Sequence, residues 1–173
     1  MENQKWAIDA AHSEITFKVR HMMITNVTGK FTSFNAEVSA EDDSFSGASI
    51  SFSAGTSSVD TGNEERDNHL KSEDFFNAEK FPKMSFKSDS YDASTGKVSG
   101  ELTIRDVTRS ITLDADFGGV NKDPWGNMKA GFTLSGKINR KDFGLNWNAA
   151  LETGGVLVSD EVRINCEVQF SKA

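Results

Sequence analysis

A chain of 173 residues has the length of one domain, and 36% hydrophobic residues with 14 glycines exclude wholesale disorder. Nineteen basic against 26 acidic side chains give a net charge of -7 with no run of Lys or Arg, which argues against nucleic-acid backbones and anionic membrane surfaces alike as partners. No stretch is apolar for the roughly 18–20 residues of a membrane span, and a single cysteine, Cys166, excludes an internal disulfide and C-x-x-C sites.

The chain opens on Met1 to Trp6 without an apolar leader, so the expected location is cytoplasmic as written, or periplasmic if a leader has been removed. From there the dominant period is two. Ile15, Phe17 and Val19 alternate with polar neighbours, as do Phe34, Ala36, Val38 and Ala40, and then Ala48, Ile50, Phe52 and Ala54. Residues 55–82 break this rhythm. Thr61-Gly62-Asn63-Glu64 fits a helix-starting capping box, Ser72 reads as a second N-cap, and Leu70, Phe75 and Phe76 are expected to turn inward. Alternation resumes at Met84-Phe86, at Val98-Gly100-Leu102-Ile104, at Ile111-Leu113-Ala115-Phe117, along Met128 to Ile138, and along Val162 to Phe170. Turn signals separate these runs at Asp42-Asp43-Ser44, Ser94-Thr95-Gly96, Arg105-Asp106, Gly118-Gly119, Asp123-Pro124-Trp125-Gly126 and Gly154-Gly155.

Residues 1–173 therefore read as one all-β domain of about eight long antiparallel strands, with a helical excursion at about residues 62–78. Strands of this length curl, and closure into a barrel removes their exposed edges. A sandwich is the alternative. An eight-stranded barrel can be filled or can hold a small ligand. Small residues in register with large apolar ones, at Ala36, Ala54, Gly100, Ala115, Ala130 and Gly136, favour an internal space, and interdigitating Phe rings would fill it.

Catalytic constellations are weak. His12 and His21 lie about 30 Å apart on one extended strand, and His69 shares no helix face with Asp67 or Glu64. Gly131 to Lys137 matches a phosphate-loop pattern, but Ile138 stands where Ser or Thr is required, and the segment alternates like a strand. No metal or cofactor site is expected, and a non-enzymatic role is favoured.

Several of these residues, in this order, resemble the YceI-like polyisoprenoid-binding family. They are Trp6-Ala7-Ile8-Asp9, His12 to Phe17, His21-Met22, Val27 to Phe31, Ser58 to Asn63, Arg66 to Leu70, Asp74 to Phe76, Phe81-Pro82, Gly100 to Ile104, Val107-Thr108 and Asn139 to Gly144. The resemblance implies a lipocalin-like barrel that holds the apolar tail of an isoprenoid, an isoprenoid quinone or a similar amphiphile, and a homodimer. The expected pocket wall is Ile15, Phe17, Val19, Phe34 and Phe52 from the first half of the chain. It continues with Leu70, Phe75, Phe76 and Phe86, then Gly100, Leu102, Ile104 and Leu113, and finally Phe132, Leu134, Gly136 and Ile164. His12, Arg66, Asp67 and His69 are expected at a polar rim, with a structural ion pair the other reading of Arg66 and Asp67. An enzyme acting on a lipid head group at the mouth, or a packed scaffold without ligand, remain alternatives to storage or transport.

Overall fold

The computed structural model describes residues 3–148 and 157–173. Eleven strand segments build one antiparallel sheet: β1 (Gln4–Ile8), β2 (Glu14–His21), β3 (Thr25–Phe31), β4 (Phe34–Ala40), β5 (Ser49–Gly55), β6 (Val59–Asp60), β7 (Lys83–Asp92), β8 (Lys97–Ile104), β9 (Val107–Lys122), β10 (Met128–Asn139) and β11 (Glu161–Lys172). Eight of them, in the order β1-β4-β5-β7-β8-β9-β10-β11, close on themselves through β1–β11 pairing.

The additional segments, β2, β3 and β6, arise because three long strands are interrupted, the last at the Thr56–Ser58 3-10 turn between β5 and β6. β1 and β2 follow one another along β11: Ile8 pairs with Phe170, and Glu14 with Glu167. Between them Ala10–His12 form a 3-10 turn. Ser13 repairs the break, its hydroxyl donating to the Asp9 carbonyl (2.7 Å) and accepting from the Gln169 N–H (3.0 Å). β3 and β4 are likewise split at Thr32-Ser33 and pair with β2 and β1 respectively. The strand expected through His12 thus begins only at Glu14, and the polar-rich β1, β3 and β6 add to the runs legible by alternation.

Gly118-Gly119, a turn signal in the sequence, lies inside β9. Phe117 faces Phe132 and Gly119 faces Gly131, so Gly118 is an extra residue and the pair forms a bulge, with Gly119 at φ 104°. The chain reverses later, at Asp123-Pro124-Trp125-Gly126, where the Asp123 carboxylate accepts from the N–H groups of Trp125 and Asn127 (2.9 Å each). The turn expected at Gly154-Gly155 lies outside the described residues.

The two barrel ends differ. At one, the β4–β5 loop folds inward: Phe45, in left-handed conformation (φ 61°), packs against Trp6 (ring centroids 5.2 Å), Phe117 (5.4 Å) and Phe132 (5.2 Å). Phe132 also stacks on Phe117 and meets Tyr91 and Phe170, which makes an aromatic plug. The other end carries the β2–β3 turn, the β8–β9 turn, the β10–β11 connection and the excursion. That excursion holds one helix, α1 (Glu64–Lys71). Its N-cap is Asn63, which accepts from the Arg66 N–H (3.0 Å), in place of the expected Thr61. Thr61 is instead bound to the Asp67 carboxylate by its N–H (2.8 Å). Ser72 ends α1 by donating to the His69 carbonyl (2.5 Å), and residues 72–76 form turns with no second helix.

Candidate functional site: an apolar cavity with a basic mouth

The barrel encloses a cavity of about 570 Å³, within the usual size range of small-molecule sites. It is open at the α1 end and bounded at the other by the plug. Alternation supplies its wall, since every second residue of each strand faces inward. Ile15, Phe17, Val19, Phe52, Phe86, Leu102, Ile104, Leu113, Phe132, Leu134 and Ile164 all line it, and Leu70, Phe75 and Phe76 reach it from the excursion.

Three expected wall residues do not. Phe34 packs against the core beside the Thr32-Ser33 break without reaching the cavity. Gly100 and Gly136 leave no space of their own. A Cβ at Gly100 would lie 2.4 Å from the Lys87 carbonyl oxygen and 2.8 Å from the Phe86 ring, and one at Gly136 would lie 2.4 Å from Leu113 Cδ2. Neighbouring side chains cover these glycines, as the Phe17 ring covers Gly29. The room comes from Ala36, Ala48, Ala115, Val38, Val98, Cys166 and Val168, whose short side chains stand on the lining. Burial pushes the Cys166 thiol up to about 11, so it is neutral there.

The mouth brings together charged and aromatic groups from separate elements. Arg20, His21, Arg66, His69 and Arg140 line it, with Glu65 the carboxylate among the lining residues. His69 Nε2 lies 2.9 Å from Asp74 Oδ2, and its ring stands edge-on to Phe75 (5.1 Å) and Trp147 (4.5 Å). Arg66 donates from Nε to the Thr61 hydroxyl and from its terminal nitrogen to the Thr61 carbonyl (2.8 Å each). Arg66 and Asp67 therefore both secure Thr61, and Asp67 does so away from the cavity.

His12 is not at the rim. It follows β1 on the outer wall, with Nδ1 2.8 Å from Asp9 Oδ2, in a shallow dent beside Asp116, Gly131 and Glu167. The His12 hydrogen bond, opposed by partial burial and aided by Lys129, holds the Asp9 carboxyl below its usual range. Among the described residues no group of three or more His, Cys, Asp or Glu is arranged to hold a metal ion.

Arg140 and Trp147 are functional candidates that sequence reasoning passed over. Arg140 is 3% exposed and donates to the carbonyls of Ser159 (2.9 Å), Leu145 (2.6 Å) and Trp147 (2.8 Å), with Asp160 Oδ1 at 3.9 Å. Burial lowers its pKa, and Asp160 partly restores it. Two signals could have marked it: it follows a long alternating strand, and it lies in the Asn139 to Gly144 segment that carries the family resemblance. Trp147 had none, because its position depends on the loop that Arg140 pins.

A family model described as a YceI-like domain matches residues 6–170. The chain belongs to that family. A UPF0312 protein of Staphylococcus aureus strain N315 is 40% identical over 167 residues, 96% of each chain. The Campylobacter jejuni YCEI protein is 37% identical, with a TM-score of 0.75 over 89% of this chain and 90% of that one. Two more distant structures share the fold of this YceI-like barrel. Burkholderia cenocepacia BcnA is 23% identical with a TM-score of 0.77, covering 94% of this chain and 98% of its own. A polyisoprenoid binding domain from Saccharophagus degradans is 15% identical with a TM-score of 0.68, covering 97% and 98%.

Proposed function

We propose that the protein is a non-catalytic carrier or store for one long apolar chain with an acidic head, a polyprenyl phosphate being the class that fits best. The observation that carries this reading is an apolar cavity of about 570 Å³ whose lining, among the described residues, includes Arg20, His21, Arg66, His69, Arg140 and Glu65, with Asp74 on His69 and Asp160 beside Arg140, in a chain of net charge -7. The wall offers an apolar chain about 0.8 kcal/mol per buried methylene, and the mouth offers charge-assisted hydrogen bonds to a phosphate. The name of the Saccharophagus degradans domain agrees with an isoprenoid tail. A neutral isoprenoid quinone would use the same wall and make no charged contact at the mouth. Assembly as a homodimer belongs to the proposal and is read by sedimentation.

Organic extraction of the purified protein followed by mass spectrometry tests this reading, with apo protein then offered a polyprenyl phosphate and the matching neutral alcohol. The expected outcome is one prenyl chain per protein and tighter uptake of the phosphate. A well-folded protein that carries no lipid and takes up neither compound overturns it.

A further inference from the structure

The β2–β3 turn sets sequence against backbone. The Ile24 N–H donates to the His21 carbonyl (3.1 Å), closing a tight turn whose central residues, Met22 (φ 53°) and Met23 (φ 60°), are both left-handed. Asn-Gly or Asp-Gly ordinarily fills such turns, because larger side chains are strained there. Here two methionines occupy it and an isoleucine follows, with exposures of 41%, 51% and 71%. Neighbours hold the strain: the Arg20 guanidinium donates to the Met23 carbonyl (3.0 Å), and the Met22 N–H to the Leu157 carbonyl (2.8 Å). Three large apolar side chains are thereby kept in water, and strain of this kind concentrates where a segment has a task.

The surroundings indicate the task. Arg20 and His21, directly before the turn, line the cavity mouth, so the apolar tip and the entrance are contiguous. Residues 15–36 include Lys18, Arg20, His21 and Lys30 and no Asp or Glu. Of the acids on or beside the hairpin, Glu14 opens β2 opposite Glu167 at the end away from the tip, Asp60 sits opposite Lys30 in register, Asp160 is engaged by Lys141 and Glu161 by Lys137 and Arg163, and Glu64, Glu65 and Asp67 stand on α1. The net charge of -7 thus conceals a basic hairpin ending in an apolar tip, the combination that adsorbs to anionic lipid.

We infer that the β2–β3 tip docks on an anionic bilayer surface. Met22, Met23 and Ile24 enter the boundary between headgroups and acyl chains while Lys18 and Arg20 face lipid phosphates. The mouth is thereby set against the bilayer, and an amphiphile passes between membrane and cavity without crossing water. Docking belongs to the ligand-free tip, so it stands or falls separately from the identity of the cargo.

Flotation of the full chain with vesicles tests it, using phosphatidylcholine alone or mixed with phosphatidylglycerol, both free of prenyl compounds. The wild type should float with the mixed vesicles at low salt and be released by salt. Replacing all three tip residues (Met22→Ser, Met23→Ser, Ile24→Ser), or Ile24→Asp alone, should reduce flotation about tenfold with an unchanged melting temperature. Trp125→Ser, at an exposed site on the opposite end, should float as the wild type does. Wild type that ignores the mixed vesicles, or tip variants that float as well as it does, overturns the inference. So does a dimer that the tip substitutions dissociate in a protein that binds no vesicle. Prenyl uptake from detergent, measured in parallel, reports on the cargo separately.

Discussion

At the scale of single residues, the barrel's small side chains divide into two kinds. Gly100 and Gly136 are close-approach positions, and Ala36 and Ala115 give the cavity its width. Gly100→Ala should therefore cost about 1–3 kcal/mol, because its Cβ meets the Lys87 backbone oxygen. Gly136→Ala should cost less, because the atom it meets is the free end of Leu113, which can turn into the cavity. Chemical denaturation of both variants checks the order. Arg140 holds three carbonyls at short range, so Arg140→Met should destabilise by about 3 kcal/mol and loosen the mouth wall that carries Trp147. Cys166, buried and pushed up to about 11, should resist alkylation at pH 8 until the protein unfolds.

At the scale of elements, the N-terminal strand is fastened by a polar latch. Asp9 joins His12, Lys129 Nζ (3.1 Å) and, through that lysine, the Ser171 hydroxyl (2.6 Å) across β1, β10 and β11. Because the folded state lowers the Asp9 pKa, its contribution is present above the ordinary value of 3.8 and is lost as pH falls through the depressed folded value. Asp9→Asn should therefore melt earlier than the wild type at pH 7, with the two melting curves converging below pH 3.8. Phe45 serves the β4–β5 loop as Asp9 serves β1, and Phe45→Ala should cost about 3–5 kcal/mol by opening the plug. Alternation made β2, β4, β5 and β7 to β11 legible, because each buries one face. It missed β1 and β3, where Lys5, Thr28 and Gly29 dilute the apolar period, and it missed the plug, because Phe45 is placed by one loop's backbone. It ran His12 into one strand with His21, because a 3-10 turn interrupting a strand leaves no periodic trace, and His12, for which the family resemblance implied a rim position, lies on the outer wall instead.

At the scale of the whole molecule, closure of the sheet on itself and an aromatic plug at one end turn an apolar interior into a container. Most of its wall could be read from strand parity. The mouth could not, since Arg20, Arg66, His69, Arg140 and Trp147 meet there from elements distant in the chain. Binding to the native state alone stabilises by mass action, so a polyprenyl phosphate at a hundredfold excess over its Kd should add about 2.7 kcal/mol, roughly 5–10 °C in Tm.

The most direct test of an internal site is isotope-filtered NMR on the complex with a polyprenyl phosphate. Contacts from the prenyl methyl groups to the side chains of Leu113, Leu134 and Ile164 are expected, with the head group near Arg66 and His69. Contacts confined to the outer surface, or a complex in which those three interior residues see no ligand, would contradict it.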